Sequence, residues 1–306
     1  MKVLICCCFF QCVLLYSSAQ SPFLVVLGTT QDGGSPHLGC SKKCCEMLFS
    51  SPDPSRKVVS LGIVDPLEKK YWMLEATPNF TTQASWLNEL CGFQHHDLPD
   101  GIFITHAHIG HYLGLLDLGL EIMNTKDVPI YVMSRMKNFI FKNQPFRQLV
   151  DKKNIKIIEI FNKKDVFFQN FKVKPFEVPH RNEFSETVGY KLIINQKSII
   201  FIPDIDCWDQ WDSNLINLIK ENDLLFLDGT FYDKSEIKNR DISKIPHPEI
   251  LDTINKLSSL DTNEKKKVYF IHMNHTNQIL KPNTPEYNHL KKNKFNISQE
   301  NQIFKF

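Results

Sequence analysis

The sequence predicts a four-layer αββα sandwich, in which two β-sheets pack face to face and helices cover their outer faces. The chain has 306 residues, of which 42% are hydrophobic, so it can bury a large core. Short apolar runs bounded by turn residues dominate the sequence, and amphipathic helical stretches occur singly between groups of them. This order favours sheets packed on each other over a doubly wound parallel sheet.

The apolar runs have the length and the bounding residues of strands. The predicted strands are residues 23–28, 58–64, 71–74, 101–105, 130–132, 155–160, 171–178, 190–194, 198–202, 224–227 and 267–271. The predicted helices between them are residues 80–91, 111–124, 135–141, 212–221 and 247–257. Because no low-complexity linker interrupts residues 20–306, we expect one domain, with a solvated polar tail from about residue 281.

Residues 1–19 have the pattern of a signal peptide. Lys2 precedes the apolar run 3–16, which is shorter than the roughly 20 residues of a membrane-spanning helix. The small side chains of Ser17 and Ala19 predict cleavage between Ala19 and Gln20. We therefore expect a secreted or periplasmic protein without stable membrane insertion after cleavage, and an uncleaved anchor is the alternative.

The charge balance bears on the kind of partner. The formal net charge is only +2, with Lys and Arg spread along the chain. Nucleic-acid-binding proteins concentrate basic residues in a patch or stripe. We therefore expect no nucleic-acid partner and a small-molecule substrate, and the sequence leaves the oligomeric state open.

The cysteines leave several possibilities open. Four of the nine lie in the signal segment, and the others are Cys40, Cys44, Cys45, Cys91 and Cys207. The group Cys40, Cys44 and Cys45 could be free or paired thiols without a function, could form a disulfide, or could hold a structural zinc with a fourth ligand from elsewhere.

Three histidines follow the predicted strand 101–105 within six residues. His106 and His108 lie in the loop after the strand, and His111 begins the amphipathic stretch that follows. Imidazoles at this spacing can reach one point, and imidazole is a preferred ligand of zinc and similar metals. The segment THAHIGH therefore predicts a transition-metal site.

This segment resembles the motif His-x-His-x-Asp-His of the metallo-β-lactamase superfamily. The resemblance extends to three later residues, His180, Asp204 and His272, each at the end of an apolar run and in the order that the superfamily shows. It implies the αββα fold and a Zn²⁺ site, with one ion expected and two possible. The implied ligands are His106, His108, His111, His180, Asp204 and His272.

The resemblance also implies a reaction. In the superfamily, a metal-bound hydroxide attacks a carbonyl or phosphoryl centre, which implies hydrolysis of an ester, amide or phosphodiester bond. Asp204 is then expected to bridge the metals or to orient the hydroxide. His275 is expected to lie behind the metal ligands or to stabilise the developing oxyanion.

A closer resemblance is to the branch that contains pyrroloquinoline quinone synthesis protein B. The segments that carry it are residues 30–37 (TQDGGSPH), 186–190 (ETVGY), 227–231 (LDGTF) and 274–277 (NHTN). This branch implies an alternative, an Fe²⁺-dependent oxidase or hydroxylase, although an export signal argues against cofactor assembly. A non-catalytic binding protein with a degraded site is a third possibility.

The chain departs from the superfamily motif at Gly110, which stands where the motif has a metal-binding aspartate. The ligands that remain for a second metal are His111, Asp204 and His272. Either the second site is weak or empty, or Asp32 or His37 from the first loop replaces the missing ligand. Asp228 is a further candidate, as a ligand or as a residue that orients a ligand.

Three other histidines are expected outside the metal site. His247 precedes Pro248 and is expected to be a cap or a structural residue. His95 and His96 lie in a polar loop and are expected to be exposed to solvent.

Overall fold

A computed structural model of the chain describes residues 21–93, 98–236 and 245–306. The strands are β1 (Phe23–Gly28), β2 (Ser60–Asp65), β3 (Lys70–Leu74), β4 (Gly101–Phe103), β5 (Val128–Val132), β6 (Ile155–Glu159), β7 (Val166–Phe167), β8 (Phe171–Glu177), β9 (Val188–Ile194), β10 (Lys197–Ile202), β11 (Leu224–Asp228), β12 (Val268–Ile271), β13 (Asn296–Ile297) and β14 (Ile303–Lys305). The helices are α1 (Phe80–Cys91), α2 (Ile109–Tyr112), α3 (Ser134–Lys142), α4 (Phe146–Asp151), α5 (Leu215–Glu221), α6 (Ile250–Lys256), α7 (Thr262–Lys265) and α8 (Pro285–Lys292).

The strands form two seven-stranded sheets. The first has the order β14-β1-β2-β3-β4-β5-β6, and the second has the order β13-β12-β11-β10-β9-β8-β7. The strands β3 to β6 pair in parallel, as do β10, β11, β12 and β13. The carboxyl ends of β1, β3 and β4 share one edge of the first sheet, and those of β8, β10, β11 and β12 share one edge of the second.

The strands read as continuous apolar runs because both faces of each sheet are buried. In β10, Ile199 and Phe201 pack in the core between the sheets, whereas Ile200 and Ile202 pack in the core under the helices. Side chains that alternate between two cores leave no polar face on such a strand.

Three hydrophobic cores separate four layers. One lies between the first sheet and α1, α3 and α4, and the last lies between the second sheet and α5, α6 and α8. The middle core joins the sheets: the rings of Phe103 in β4 and Tyr190 in β9 are 5.5 Å apart. The predicted αββα sandwich is therefore confirmed.

The helix predicted over residues 111–124 is wrong. The structure has the short helix α2, then a 3-10 turn at Leu113–Leu118, then irregular chain. Glycine is a poor helix former, and Gly114 is pressed against α1, since a Cβ there would lie 2.4 Å from Cβ of Phe80. The regular helix therefore ends early, because of close packing on α1 and the glycines Gly114 and Gly119.

The solvated C-terminal tail expected from residue 281 is also wrong. Thr284 caps α8 by accepting a hydrogen bond from the backbone N–H of Tyr287, and Pro285 occupies the first turn. Leu290 and Phe295 are buried in the outer core of the second sheet, and β14 completes the first sheet beside β1. The polar residues of this segment lie on the exposed faces of elements that are otherwise anchored.

Some expectations fall outside the described residues, namely the signal peptide at 1–19 and the histidines His95 and His96. Within the described ranges, no helix is both long enough and apolar enough to cross a membrane.

Candidate metal centre

The predicted ligands lie together at one end of the sandwich, where strands of both sheets have their carboxyl ends. On the first sheet, Asp32 lies in the loop after β1, and His106, His108 and His111 lie after β4. The second sheet places the other ligands, His180 after β8, Asp204 after β10 and His272 after β12. Neither sheet alone builds the site, so it depends on the packing between them.

The first ligand group consists of His106, His108 and His180. One ligand atom from each lies within 4.8 Å of the others. Nδ1 of His108 is 3.2 Å from Nε2 of His180. In a tetrahedral site with bonds of about 2.0–2.1 Å, donor atoms are about 3.3 Å apart, so this separation suits a metal.

His106 supplies the clearest sign that a cation fits. Its Nε2 is buried and has no hydrogen-bond partner among the described residues, and Oδ2 of Asp204 is 3.8 Å away. A buried ring nitrogen without a partner is costly in a folded protein. A metal held by the first group would satisfy this nitrogen.

The ring orientations in this group are fixed from behind. The hydroxyl of Thr105 lies 2.8 Å from Nδ1 of His106, and a carboxylate oxygen of Asp206 lies 2.7 Å from Nδ1 of His180. Such partners select the tautomer that leaves the other nitrogen free for a metal. Asp206 was not predicted as a site residue. Its position two residues after Asp204 was the one feature of the sequence that could have indicated it.

The second ligand group consists of Asp32, His111, Asp204 and His272, again within 4.8 Å of one another. Nε2 of His111 is 2.9 Å from both Oδ1 of Asp32 and Oδ2 of Asp204. Nε2 of His272 is 3.3 Å from the same two oxygens. Two nitrogens and two carboxylate oxygens thus surround one point at separations that suit a tetrahedral metal.

The histidine rings of the second group also have polar side chains next to their Nδ1 atoms. The Thr230 hydroxyl lies 2.8 Å from Nδ1 of His272, and Oε1 of Glu75 lies 3.3 Å from Nδ1 of His111. Glu75 is fully buried and has a positive φ of 79°, a conformation that costs a non-glycine residue energy. Glu75 thus lies behind His111, but its Oε1 and Nδ1 of His111 have no hydrogen-bond partner among the described residues. Nothing in the sequence indicated this position.

Asp204 lies between the two groups. Besides its contacts to His111 and His272, its other oxygen is 3.9 Å from Nε2 of His180. Burial alone would raise the pKa of this carboxyl, but His272, His111 and His180 hold it well below its usual value. Asp204 is therefore a buried anion that contacts histidines of both groups.

The protonation states of the histidines differ between the groups. Burial lowers the pKa of His106 well below its usual value and lowers that of His108 to about 4. Burial would lower the pKa of His111 too, but Asp32 and Glu75 raise it well above the usual value. Without a metal, His106 and His108 are neutral near pH 7, whereas His111 carries a proton.

Asp228 and His247 lie beside the centre. Asp228 accepts hydrogen bonds from the backbone N–H groups of Ile205 and Thr230 and from the Thr230 hydroxyl, and one of its oxygens is 2.7 Å from Nδ1 of His247. These contacts favour orientation of neighbours over metal ligation. Despite the burial of its ring, Asp228 raises the pKa of His247 to about 9.

From the sequence we expected His247 to be only a cap or a structural residue. The structure instead places it beside the candidate metal centre. Its Nδ1 is 3.6 Å from Asp204, and it belongs with Asp204, Asp228 and His272 to a further group of potential ligands. Its neighbour Pro248 gave no indication of this, because the contacts arise only from the folded arrangement of loops.

His37 and His275 lie elsewhere, stacked on each other with ring centroids 4.4 Å apart. His275 forms a cluster with Cys40, Cys44 and Cys45, which we call the thiol cluster, with ligand atoms within 4.8 Å. This position does not support the oxyanion-stabilising role expected for His275. It supplies the fourth ligand that a structural metal at these cysteines requires, and the thiols are not joined in a disulfide.

The rim of the centre mixes charge and apolar surface. A carboxylate oxygen of Glu183 is 3.6 Å from Nε2 of His108, and Arg181 pairs with Glu183. Ile109 and Phe184 are exposed beside these residues. The rim therefore offers contacts for both polar and apolar parts of a substrate.

Comparison with known proteins points to the same superfamily as the histidine motif. A family model described as a β-lactamase superfamily domain matches residues 72–273. The chain is 23% identical over 289 residues to coenzyme PQQ synthesis protein B of Xanthomonas campestris pv. campestris strain B100, covering 86% of this chain and 93% of the relative.

Two solved structures share the fold. Zn²⁺-bound PqqB from Methylobacterium extorquens superposes with a TM-score of 0.76 at 18% identity, covering 93% of this chain and 100% of that chain. A diphosphatase from the PhnP family superposes with a TM-score of 0.64 at 22% identity, covering 93% and 98%.

The chain belongs to the metallo-β-lactamase superfamily, as its matched domain, its αββα sandwich and its histidine order show. Within the superfamily it is similar to coenzyme PQQ synthesis protein B over most of its length, in agreement with the resemblance carried by residues 30–37 and the later segments.

Proposed function

We propose that this protein is a metal-dependent hydrolase that cleaves an ester, amide or phosphodiester bond of a small molecule. The observation that carries the proposal is the buried, unpartnered Nε2 of His106, which converges with His108 and His180 on one point. A divalent metal held there supplies Lewis acidity and lowers the pKa of a water molecule toward neutrality. Zn²⁺ is the expected ion because the ligands are imidazoles and a carboxylate.

The surrounding residues would perform the remaining steps. Asp204 is an anion at neutral pH and can accept a hydrogen bond from the attacking water, which orients its lone pair. His247 holds a proton, because Asp228 raises its pKa to about 9, and lies with its ring centroid 5.5 Å from that of His180. It is placed to donate that proton to a leaving group.

A panel of substrates tests the proposal. The purified protein is stripped with a chelator, reloaded with Zn²⁺, and assayed on generic esters, amides and phosphodiesters. We expect turnover of at least one class, dependent on Zn²⁺ and lost in His106→Ala. The variant His289→Ala, in α8 and bonded to Tyr232, should retain turnover. A loaded protein that cleaves none of these classes would favour a non-catalytic binding protein.

The second candidate is an Fe²⁺-dependent oxidase or hydroxylase. It is favoured by the similarity to coenzyme PQQ synthesis protein B, because imidazole and carboxylate ligands also suit Fe²⁺. Anaerobic loading with Fe²⁺ followed by measurement of oxygen consumption tests it. Oxygen uptake with iron and no hydrolysis with zinc would replace the hydrolase proposal.

Export is a separate part of the proposal, and residues 1–19 support it through their signal-peptide pattern. Expression of the full chain followed by N-terminal sequencing tests it. A mature protein outside the cytoplasm that begins at Gln20 or Ser21 is expected, and an uncleaved chain would contradict it.

We also assign a structural zinc to the thiol cluster. Its sulfur atoms and His275 provide the Cys₃His ligand set of such sites. Burial and the neighbouring Cys40 raise the pKa of Cys44 to about 12, so metal binding would have to displace its proton. Cys44→Ser should lower the zinc content by one ion per chain, whereas Cys91→Ser, far from the cluster, should not.

A further inference from the structure

The Asp32 side chain lies in the space that a side chain at position 110 would occupy. A Cβ at Gly110 would lie 2.5 Å from Cα, 2.6 Å from Oδ1 and 2.7 Å from Cγ of Asp32. A side chain at position 110 and the present loop at Asp32 are therefore mutually exclusive. The glycine leaves room for the Asp32 carboxylate, which comes from the loop after β1.

The chain just before Asp32 is fixed by two backbone hydrogen bonds to Met273. The N–H of Gln31 donates to the carbonyl of Met273 at 3.0 Å, and the N–H of Met273 donates to the carbonyl of Thr29 at 2.8 Å. Met273 follows the ligand His272 directly. The same contacts that place His272 thus place Asp32 opposite it.

The surroundings of His111 indicate a cation. Its Nε2 can carry one proton, yet carboxylate oxygens of Asp32 and Asp204 both lie 2.9 Å from it, and Glu75 faces the other ring nitrogen. Three largely buried carboxylates around one ring are costly unless positive charge compensates them. The two imidazoles of the group supply too little positive charge for this.

We infer that Asp32 replaces the ligand missing at Gly110 and completes a second metal position with His111, Asp204 and His272. The inference rests on the proposed metal centre, and it makes that centre dinuclear, with Asp204 as the bridge. His37, the other candidate for the replacement, stacks on His275 and contributes nothing to this group.

Metal titration of Asp32→Asn tests the assignment, because asparagine keeps the shape of the side chain and removes its charge. We expect the variant to hold one ion fewer per chain than the wild type, with affinity at the second position reduced more than about 100-fold. Asp209→Asn, the same change at a carboxylate that is 73% exposed, should keep the wild-type content. The metal content of each variant is compared with that of the wild type. An ion bound at the thiol cluster contributes equally to both and does not affect the difference.

A second readout guards against misfolding. Loaded with Co²⁺, Asp32→Asn should lose part of the visible absorption of the histidine centre while its thermal unfolding without metal matches that of the wild type. Asp32→Asn with wild-type metal content would overturn the assignment, as would an equal metal loss in Asp209→Asn. A wild-type protein with one ion at the histidines would also overturn it, yet would leave the hydrolase proposal intact.

Discussion

Four imidazoles of the centre have their rear ring nitrogen within reach of a second side chain. These pairs are His106 with Thr105, His180 with Asp206, His272 with Thr230, and His111 with Glu75. The hydrogen-bonding partners of His106, His180 and His272 favour one ring tautomer, and such partners tune metal affinity without touching the ion. Glu75 instead faces His111 as a buried carboxyl group without a hydrogen bond to it. The chemistry at this scale therefore depends on more residues than the ligands.

Asp206 provides a test of this orientation. In Asp206→Asn, His180 loses a charged partner at 2.7 Å, so metal affinity at the first position should fall about 10- to 100-fold. Competition with a metal-binding dye measures this affinity. Asp209→Asn is the matched control, since its carboxylate is 73% exposed and should not change affinity. Equal affinity in the two variants would remove Asp206 from the account.

The two metal positions should respond differently to pH. In the metal-free protein, His106 and His108 have lowered pKa values and are neutral near pH 7, so metal binding there displaces few protons. His111 has a raised pKa and binds a metal only after losing its proton. Affinity at the second position should therefore rise with pH, by about tenfold per unit for one displaced proton.

Titrations with Zn²⁺ at about pH 6 and about pH 8 check this difference. Only the binding step that Asp32→Asn weakens, that of the second position, should strengthen between these values. If both steps change equally, the raised pKa of His111 does not govern the second position.

The residues that come together at the candidate centre were predictable from the sequence, whereas the residues behind them were not. His180, Asp204 and His272 each end an apolar run, a local signal that needs no knowledge of the fold. Glu75, Asp206, Thr230 and His247 act through contacts between loops of distant sequence position. Their positions have no pattern of their own along the chain.

At the scale of elements, prediction worked where periodicity and end signals agreed. The helix α1 was predicted with its observed bounds, and Gly92 follows it in the left-handed conformation that ends helices, with φ 65°. Buried strands were predicted to within a few residues. Prediction missed α4, α7, α8, β7, β13 and β14, because elements of two to eight residues are too short to show a clear periodicity.

The last strand should matter for stability despite its polar surroundings. The ring of Phe304 in β14 packs against Phe226 and Tyr269, with centroids 5.4 and 5.2 Å away. Phe304→Ala should lower the free energy of unfolding by about 1–3 kcal/mol, less than for a fully buried phenylalanine. Phe167→Ala, in β7 at 73% exposure, should change it by less than about 0.5 kcal/mol.

Urea unfolding of both variants measures these differences. A Phe304→Ala protein as stable as the Phe167→Ala protein would mean that β14 adds nothing to the first sheet.

At the scale of the whole molecule, the centre connects the two halves of the sandwich. The first sheet supplies Asp32, His106, His108 and His111, and the second supplies His180, Asp204 and His272. A metal shared across the sheets binds the folded state only. It therefore stabilises that state, by about 2.7 kcal/mol at a free metal concentration of 100 times the dissociation constant.

Chelation should accordingly lower the unfolding temperature of the wild-type protein. A thermal scan with and without chelator measures the shift, and the shift should become smaller in His106→Ala, which lacks a ligand of the first group. An unfolding temperature insensitive to chelator would show that the halves pack without help from a metal.

The central claim is that His106, His108 and His180 hold a catalytic metal, and metal analysis of His108→Ala tests it most directly. We expect the wild-type protein to carry a divalent ion at these residues and to lose hydrolysis with it on chelation. His108→Ala should fold, hold at least one ion fewer per chain and show no turnover. Wild-type metal content in His108→Ala, or undiminished turnover in that variant, would contradict the account.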